Sequence, residues 1–513
     1  MAKQISVAAI ASSALARAAR VLTTNPPVAA ALAREVLKLQ LENPDATLIL
    51  AKALRAEGHF YGAIAALKPL SQSDAADIRI LIELGGALDA IGETSRAGAC
   101  YRRVLQRHPE LANVWLVYGH VLKTLGKQRE ALAAYREAIA RQPSLGEGYW
   151  SIANLKTVAF TPDEITAMRE QLAKPELPPA ERVNFEFALG KALEDVRDYA
   201  DSFAHYERAN ALHRASHPYD HARTQGFFAR LKATFTSELF AQHKGAGSPA
   251  HDPIFVVGML RSGSTLVEQI LASHSAVEAT SELHHIAQLA HGLGPWEKQN
   301  GKRSYPEAVA ALSPGELKAL GERYLARAKQ HRRLGRPYFI DKMPNNFVHI
   351  GFIQLILPHA KIIDVRRDPR ACRWSCFTQH FARGMPYLYS LEDIERYYAD
   401  YADLVAHYDA VLPERVYRVR YEDLVANPEA EIRRLLSHCG LPFEENCLAF
   451  HRTARAVHTP SSEQVRQPIF KDSLDRWRPY QPWLPPLRLG GNLACRTGVV
   501  RQATRTTFTR CGG

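Results

Sequence analysis

The stretch Ile254-Phe-Val-Val-Gly-Met-Leu-Arg-Ser-Gly-Ser-Thr265 joins a run of apolar residues to a short polar loop. The apolar run predicts a buried strand, and Ser264 and Thr265 predict the first turn of a helix. Such a loop presents unpaired backbone N–H groups at a helix N-terminus, where phosphate or sulfate binds. The sequence therefore predicts an anion site within an α/β domain.

The glycines of this loop distinguish it from a nucleoside triphosphate site. Gly258 and Gly263 are five residues apart, as in a Walker A loop, but Ser264 stands where that motif has its lysine. The positive charge lies at Arg261 instead. Because contact to the terminal phosphates of ATP would be lost, this departure favours another anion over a kinase-like function.

A second strand-to-helix segment runs from Lys361 to Ser375, with Pro369 at the first turn of the helix. Arg367 ends the strand, and Ser375 follows eight residues later. A guanidinium and a hydroxyl at this spacing could grip one phosphate from two sides. A solvated helix face is the preferred interpretation of the remaining arginines, Arg366, Arg370 and Arg373.

These two segments together resemble the sulfotransferases. The string Arg261-Ser-Gly-Ser-Thr265 is similar to the loop that binds the 5′-phosphosulfate of 3′-phosphoadenylyl sulfate (PAPS) in these enzymes. Because it has arginine at position 261, the loop resembles that of the tyrosylprotein sulfotransferases more than that of the cytosolic enzymes. Arg367 and Ser375 match the signature that binds the 3′-phosphate. The resemblance implies sulfuryl transfer from PAPS to a hydroxyl, without a metal. The implied donor-binding residues of the loop are Arg261, Ser262, Gly263, Ser264 and Thr265.

This chain departs from the family pattern at two positions. The family usually has Thr where Ser264 stands, and a hydroxyl is kept. The tyrosylprotein enzymes carry a basic residue where this chain has Gln379. Arg466 is the candidate for the missing phosphate contact.

The resemblance also implies the reacting groups. Glu282 follows Arg261 by 21 residues, the position of the catalytic glutamate in the tyrosylprotein enzymes, and is favoured as the base. His284 and His285 compete, because cytosolic sulfotransferases use histidine. Lys342 corresponds to the lysine that neutralises the bridging oxygen, a role that suits a mobile point charge. Arg261 is expected to share in stabilising the developing charge.

Two further residues extend the resemblance towards the C-terminus. Tyr421, which follows a predicted strand, corresponds to a family tyrosine near the nucleotide. Ser461 lies in a segment similar to the late loop that closes over the donor, where it would contact a phosphate.

A period of 34 residues runs through the first part of the chain. Glycine and alanine recur every 34 residues at positions where two predicted helices would touch. A turn glycine separates the two helices of a pair, and a proline follows the second helix. The positions that keep this period are Gly58, Gly92 and Gly126; Ala63, Ala97 and Ala131; Gly85 and Gly119; Tyr101 and Tyr135; and Pro109 and Pro143. The pattern resembles tetratricopeptide repeats (TPR), most clearly in residues 109–142. A further repeat is predicted over Phe187–Leu212.

The predicted fold class is an α-helical TPR superhelix followed by an α/β, P-loop-like sulfotransferase domain with a parallel sheet. Strands are expected over Ile254–Val257, Tyr338–Ile340, Ile362–Val365 and Val416–Val419. The predicted domains are residues 1–215 (repeats), 216–252 (helix and linker), 253–483 (sulfotransferase domain) and 484–513 (a basic, disordered tail).

Composition limits the other functions. The net charge is +12, but seven arginines that follow Asp475 supply much of it. The rest of the chain is too weakly basic to predict a nucleic-acid-binding surface. No apolar run is long enough to span a membrane, and residues 1–20 are interpreted as the first helix rather than a secretion signal. Seven cysteines without metal-ligand spacing predict reduced thiols in a cytoplasmic protein.

Two questions stay open at this level. A TPR surface usually binds a protein or peptide, so the alternative to an enzyme is a TPR scaffold with a non-catalytic nucleotide-binding domain. The acceptor could be a protein tyrosine, a sugar or a small molecule. The presence of both Glu282 and Lys342 favours the enzyme.

Overall fold

The structure is a computed structural model that describes residues 7–73, 75–295, 304–381, 384–453, 455–457, 459, 461–469 and 471–488. Contacts divide the chain into two compact units. The first comprises residues 1–158 and 455–463, and the second comprises residues 159–454 and 464–513.

The first unit is built from consecutive antiparallel helices. Turn glycines separate the helices of three successive pairs, and Gly58, Gly92 and Gly126 adopt left-handed backbone angles, with φ between 76° and 78°. Glycine tolerates this conformation without steric cost. The helices are α1 (Val7–Val21), α2 (Pro26–Leu39), α3 (Pro44–Ala56), α4 (Phe60–Leu67), α5 (Ile78–Ala90), α6 (Thr94–Arg107), α7 (Ala112–Thr124), α8 (Gln128–Arg141) and α9 (Gly146–Ala153).

Glycine and tyrosine pack against each other inside the helix pairs. A Cβ atom at Gly85 would lie 2.8 Å from the Tyr101 ring, and Gly119 faces the buried Tyr135 ring in the same way. The aromatic ring therefore fills the space that a side chain would need. This packing explains why glycine and tyrosine recur with the period of 34 residues.

A short segment from late in the chain also belongs to the first unit. Residues 455–463 cluster with the repeats, and the Val457 N–H donates to the Thr124 carbonyl at 3.4 Å. The Val457 side chain is buried. The first unit is thus completed by a segment more than three hundred residues away along the chain.

The second unit is an α/β structure. Its elements are α10 (Pro162–Leu172), α11 (Pro179–Asp195), α12 (Tyr199–Ser216), α13 (His221–Thr234), α14 (Ser237–Gln242), β1 (Pro253–Gly258), α15 (Ser264–Ala272), β2 (Val277–Ser281), α16 (His285–Gly292), α17 (Pro314–Lys329), β3 (Tyr338–Lys342), α18 (Ile350–Ile356), β4 (Lys361–Arg366), α19 (Pro369–Phe377), α20 (Leu391–Val411), β5 (Val416–Arg420), α21 (Tyr421–Ala426), α22 (Pro428–Cys439) and α23 (Asp472–Asp475).

The five strands form a parallel sheet in the order β2-β3-β1-β4-β5. All four predicted strands are present, and β2 is an additional strand that the sequence did not predict. The chain leaves β1 towards β2 and leaves β4 towards β5, so the carboxyl ends of β1 and β4 flank a topological switch point. Ligands of open α/β sheets bind at such a point. The predicted fold class is confirmed.

Helices α11 and α12 form the pair that was predicted as a further repeat. Gly190 precedes Tyr206 by the same sixteen residues that separate Gly85 from Tyr101, and a Cβ at Gly190 would lie 2.8 Å from the Tyr206 ring. Arg197 has a φ of 64° at the turn, where the other pairs have glycine. Contacts group this pair with the α/β unit, so the boundary between units differs from the predicted one at residue 215.

The predicted tail is described only in part. Residues 484–488 pack on the second unit, where the Pro485 carbonyl accepts a hydrogen bond of 2.7 Å from Arg373. Residues 489–513, for which disorder is predicted, lie outside the described residues. Within the described ranges, no helix has the length and apolar character that crossing a bilayer requires.

The glycine–tyrosine packing predicts a stability effect. Gly85→Ala should lower the free energy of unfolding by roughly 1–3 kcal/mol, since the new methyl group overlaps the Tyr101 ring. Gly62→Ala in α4 is the matched control, because its Cβ would meet Leu54 at an ordinary 3.4 Å and alanine favours the helix. Urea unfolding followed by circular dichroism measures both variants. Equal midpoints for the two would contradict the packing argument.

Candidate functional site

The loop between β1 and α15 is shaped by three residues with positive φ. Gly258, Arg261 and Gly263 have φ angles of 139°, 64° and 104°. A Cβ at Gly258 would lie 2.5 Å from the Val365 carbonyl, and one at Gly263 would overlap the Tyr421 ring. Both glycines are therefore required by close approaches from neighbouring elements. Arg261 carries backbone strain, which is typical of functional loops.

The loop ends at the N-terminus of α15. The Leu266 and Val267 N–H groups donate to the Gly263 carbonyl, while the first N–H groups of a helix have no intrahelical partner. Ser264 and Thr265 form this first turn and are buried. The Ser262 hydroxyl is fully buried and has no hydrogen-bond partner among the described residues. An anion at this helix N-terminus would meet this hydroxyl and a favourable dipole.

The structure brings the two predicted anion segments together. Arg261 Nε donates to Ser375 Oγ at 3.1 Å, and Arg367 Nη1 donates to the Arg261 carbonyl at 3.2 Å. Burial lowers the pKa of Arg261 to about 10, and the nearby Arg367 guanidinium contributes to the shift. Because burial and a neighbouring guanidinium both disfavour the charge of Arg261, a bound anion would stabilise this site.

Arg367 is held in place by groups from two other parts of the second unit. Its guanidinium lies over the Tyr421 ring, 5.0 Å from the centroid, and donates to the Ser473 carbonyl. Its Nε is buried without a hydrogen-bond partner in the described part of the chain. The Nε–H of this oriented guanidinium is therefore available to a ligand.

Lys342, at the end of β3, lies between two carboxylates. Its side chain is only 1% exposed; Nζ pairs with Glu282 Oε1 and is 3.9 Å from Glu268 Oε2. Glu282 is 40% exposed, whereas Glu268 on α15 is 2% exposed. A buried ammonium requires such partners, because removing an unpaired charge from water is costly. Glu268 was not predicted as a site residue, because its position in a predicted helix does not show whether it is buried or on the surface.

Asp341 is a second buried carboxyl beside this group. It is fully buried and accepts hydrogen bonds from the Tyr324 hydroxyl at 2.8 Å and the Leu283 N–H at 3.4 Å. Burial raises the pKa of Asp341 to about 8, and the nearby Glu282 charge adds to the increase. The residue therefore retains its proton in the folded protein at neutral pH.

The two competing histidines have different surroundings. His284 is exposed just before α16. The His285 ring packs against His331, with 5.2 Å between centroids, and burial lowers the pKa of His285 to about 4. Glu282, the favoured base, pairs with Lys342, the predicted charge-stabilising lysine. His285 instead packs against His331.

The predicted late-loop residues are distributed over both units. Ser461 belongs to the segment 455–463 of the first unit, and its N–H donates to Thr459 Oγ1 at 3.2 Å. Arg466 lies in the 3-10 turn Gln464–Arg466 of the second unit. Gln379 is buried and donates to the His380 carbonyl at 3.2 Å. The donor contacts of Ser461 and Arg466 stay predictions.

The interpretation of three arginines as a solvated helix face is wrong for two of them. Arg366 is buried and donates to Asp364 at 2.7 Å, and Arg373 is buried and pairs with Glu395 at 2.7 Å. Arg370 is partly exposed, as expected. The sequence did not reveal these carboxylate partners, because one of them lies on a distant helix.

Two cysteines of α19 pack under the anion loop. The Cys372 and Cys376 thiols on α19 donate to the Leu260 carbonyl at 3.3 Å and 3.4 Å. The five cysteines in the described ranges are buried free thiols. Among the described residues, no cluster of three or more His, Cys, Asp and Glu side chains could hold a metal ion.

Comparison with known families identifies both parts of the chain. Residues 253–445 match the sulfotransferase family, and residues 112–145 match the tetratricopeptide repeat. The second unit therefore contains a sulfotransferase domain and the first a tetratricopeptide repeat, which confirms the resemblance found in the sequence. The matched range includes both anion segments and Lys342.

Two relatives extend the comparison. An uncharacterised protein of Aquifex aeolicus (strain VF5) is 34% identical over 333 residues, which are 64% of this chain and 44% of the relative. Protein-tyrosine sulfotransferase A of Caenorhabditis elegans is 24% identical over 232 residues, which are 44% of this chain and 60% of the relative. The chain thus spans less than two thirds of either relative.

Solved structures give weaker similarities. The sulfotransferase domain from the curacin biosynthetic pathway is 18% identical, with a TM-score of 0.35, over 49% of this chain and 99% of that domain. MamA is 22% identical, with a TM-score of 0.25, over 34% of this chain and 91% of MamA. Both TM-scores are below 0.5.

Asp341 predicts a pH dependence of stability. Its folded pKa of about 8 exceeds the ordinary value of 3.8, so only the unfolded chain releases this proton between those pH values. The contribution of Asp341 to the free energy of unfolding is therefore full below pH 4 and is lost as the pH rises to 8. Asp341→Asn should reduce the loss of stability between pH 5 and pH 8, measured by urea unfolding. An identical loss in wild type and variant would contradict the raised pKa.

Proposed function

We propose that this chain is a sulfotransferase that transfers the sulfuryl group of PAPS to a hydroxyl acceptor. The observation that carries the proposal is the hydrogen bond between Arg261 and Ser375. It joins two anion-binding segments at the switch point of the sheet, beside the Lys342–Glu282 pair. The match of residues 253–445 to the sulfotransferase family supports the same reaction.

The residues present fit the two charged ends of this donor. The unpartnered Ser262 hydroxyl and the first turn of α15, with Gly263, Ser264 and Thr265, would hold the 5′-phosphosulfate. Arg367, with its unpartnered Nε, and Ser375 would hold the 3′-phosphate. Tyr421, which packs against Gly263 and Arg367, would lie along the nucleotide.

The proposed chemistry is an in-line displacement at sulfur. PAPS supplies the sulfuryl group and, as leaving group, its 5′-phosphate. Glu282 accepts the proton of the acceptor hydroxyl while that oxygen bonds to sulfur and the bond from sulfur to the phosphate oxygen breaks. Lys342 and Arg261 stabilise the negative charge that develops on the departing oxygen. The products are a sulfate ester and 3′-phosphoadenosine 5′-phosphate.

The ion pair between Lys342 and Glu282 implies that the donor binds before proton transfer begins. While the Lys342 ammonium pairs with Glu282 Oε1, that oxygen cannot accept the proton of the acceptor hydroxyl. We propose that Lys342 turns to the donor when it binds and so releases Glu282 to act as the base. The buried Glu268 carboxylate, 3.9 Å from the ammonium, would remain as a partner of Lys342.

The acceptor and the partners are also part of the proposal. Glu282 is 40% exposed, so a hydroxyl on a large acceptor, such as a protein tyrosine, can reach it. The tetratricopeptide repeat suggests that the first unit binds a protein or peptide. The buried free thiols are consistent with the reducing, cytoplasmic setting that we propose.

Loss of the base should abolish turnover without loss of donor binding. We expect Glu282→Gln to lower kcat by roughly 10²–10⁴-fold, the usual contribution of general-base catalysis, with Kd for the product bisphosphate changed little. Turnover of radiolabelled PAPS and calorimetry measure the two quantities. Glu322→Gln, on the exposed surface of α17, is the control. Unchanged turnover in Glu282→Gln would remove this residue as the base.

Donor identity is tested by ligand stabilisation of the full chain. A ligand that binds only the folded state stabilises it by an amount that grows with the logarithm of its affinity, and so raises the melting temperature. We expect 3′-phosphoadenosine 5′-phosphate to stabilise the wild type and Arg420→Ala, an exposed control at the end of β5, but not Arg367→Ala. Stabilisation by ATP with magnesium alone would instead indicate a kinase-like site. Bisphosphate binding without turnover of any hydroxyl acceptor would favour the scaffold alternative.

A further inference from the structure

Residues 471–488, which we call the strap, reach the proposed 3′-phosphate site. The Ser473 carbonyl accepts a hydrogen bond from Arg367, and the Ser473 hydroxyl is 2.8 Å from the Tyr421 hydroxyl. Arg367 and Tyr421 are the two side chains that the proposed function places on the donor nucleotide. One residue of the strap thus orients both of them.

The strap is anchored at a partly buried ion pair three residues further on. Arg476 pairs with Glu194 on α11 through two parallel contacts, of which the one from Nη2 to Oε2 is 2.5 Å. The Tyr206 hydroxyl donates to the same carboxylate at 3.2 Å. Burial disfavours the charge of Glu194, but Arg476 outweighs this effect and holds the pKa of Glu194 below its usual range. Bidentate pairs of this kind fix geometry as well as contribute energy.

The strap and the helix pair α11–α12 also hold α19, the helix that carries Ser375. The Trp374 ring packs against Tyr480 of the strap, with 4.0 Å between centroids. The Asn210 side chain on α12 donates to the Phe377 carbonyl at 2.9 Å. Helix α19 is therefore supported from two sides by parts of the chain outside residues 253–445, the range that matches the sulfotransferase family.

We propose that Glu194 and Arg476 are positioning residues of the donor site, which fix the strap so that Ser473 can orient Arg367 and Tyr421. The inference rests on the proposed function and deepens it. It gives the repeat-like pair α11–α12 a role in binding the 3′-phosphate end of the donor. Neither residue touches the reacting atoms, so their loss acts on donor affinity and not on the chemical step.

The direction of the effect follows from the cost of ordering a long side chain. An arginine that is already held loses less conformational entropy when it binds a phosphate. Without the anchor, Ser473 no longer fixes the Arg367 guanidinium, and the donor must supply this ordering from its own binding energy. The loss should therefore appear in Kd and in KM for the donor, with kcat at saturating donor retained.

The test compares Glu194→Gln with Asp195→Asn in the full chain. Asp195 is the next residue of α11 and pairs with Lys191 of the same helix rather than with Arg476. We expect Glu194→Gln to raise the calorimetric Kd for 3′-phosphoadenosine 5′-phosphate about tenfold, and KM for PAPS similarly, with kcat and the acceptor KM within about twofold of wild type. Asp195→Asn should match wild type in each quantity.

A second measurement separates the anchor from the donor. Amide hydrogen exchange of residues 471–488, without ligand, should be faster in Glu194→Gln than in Asp195→Asn, since local opening becomes easier. Unchanged exchange would overturn the anchor whatever the ligand affinity. Faster exchange with an unchanged Kd would overturn the positioning role and leave the proposed function intact. Absence of bisphosphate binding in the wild type would instead remove the proposed function, and the role in donor binding with it.

Discussion

The parallel pairing of β1 with β4 is the constraint on which the site depends. The register aligns Gly258 with Val365, so both strands end at the same edge and their loops emerge side by side. Position 258 requires glycine because the Val365 carbonyl occupies the space that a side chain would need. The connections from β1 and β4 then run in opposite directions across the sheet, which opens the crevice where Arg261 meets Ser375.

Charge at this edge is concentrated, and it is compensated by carboxylates only around Lys342. Arg261 and Arg367 lie close together on one side, while Lys342 is enclosed by Glu268 and Glu282 on the other. Buried charges of like sign raise the free energy of the ligand-free protein, and a bound polyanion relieves that cost. The lower stability of this edge without ligand and its affinity for an anionic ligand therefore have the same origin.

The sequence predicted what depends on local pattern. A strand, a glycine loop and a helix cap are written in neighbouring residues, and so is the period of the repeats. The sequence could not predict ion pairs between residues that are distant along the chain. These pairs are Arg373 with Glu395, Lys342 with Glu268, and Arg476 with Glu194. The side chains of β2 gave too short a pattern to distinguish a strand from a loop.

The placement of residues 455–463 in the first unit has a practical meaning for dissecting this protein. Neither unit is a single stretch of chain, so no one cut between the repeats and the sheet yields two complete fragments. A fragment that begins at residue 159 would carry Val457 without the Thr124 carbonyl that accepts its N–H, and would expose an apolar side chain to water. Poor yield or aggregation of such a fragment would reflect the cut, and would say little about how well the intact α/β unit folds.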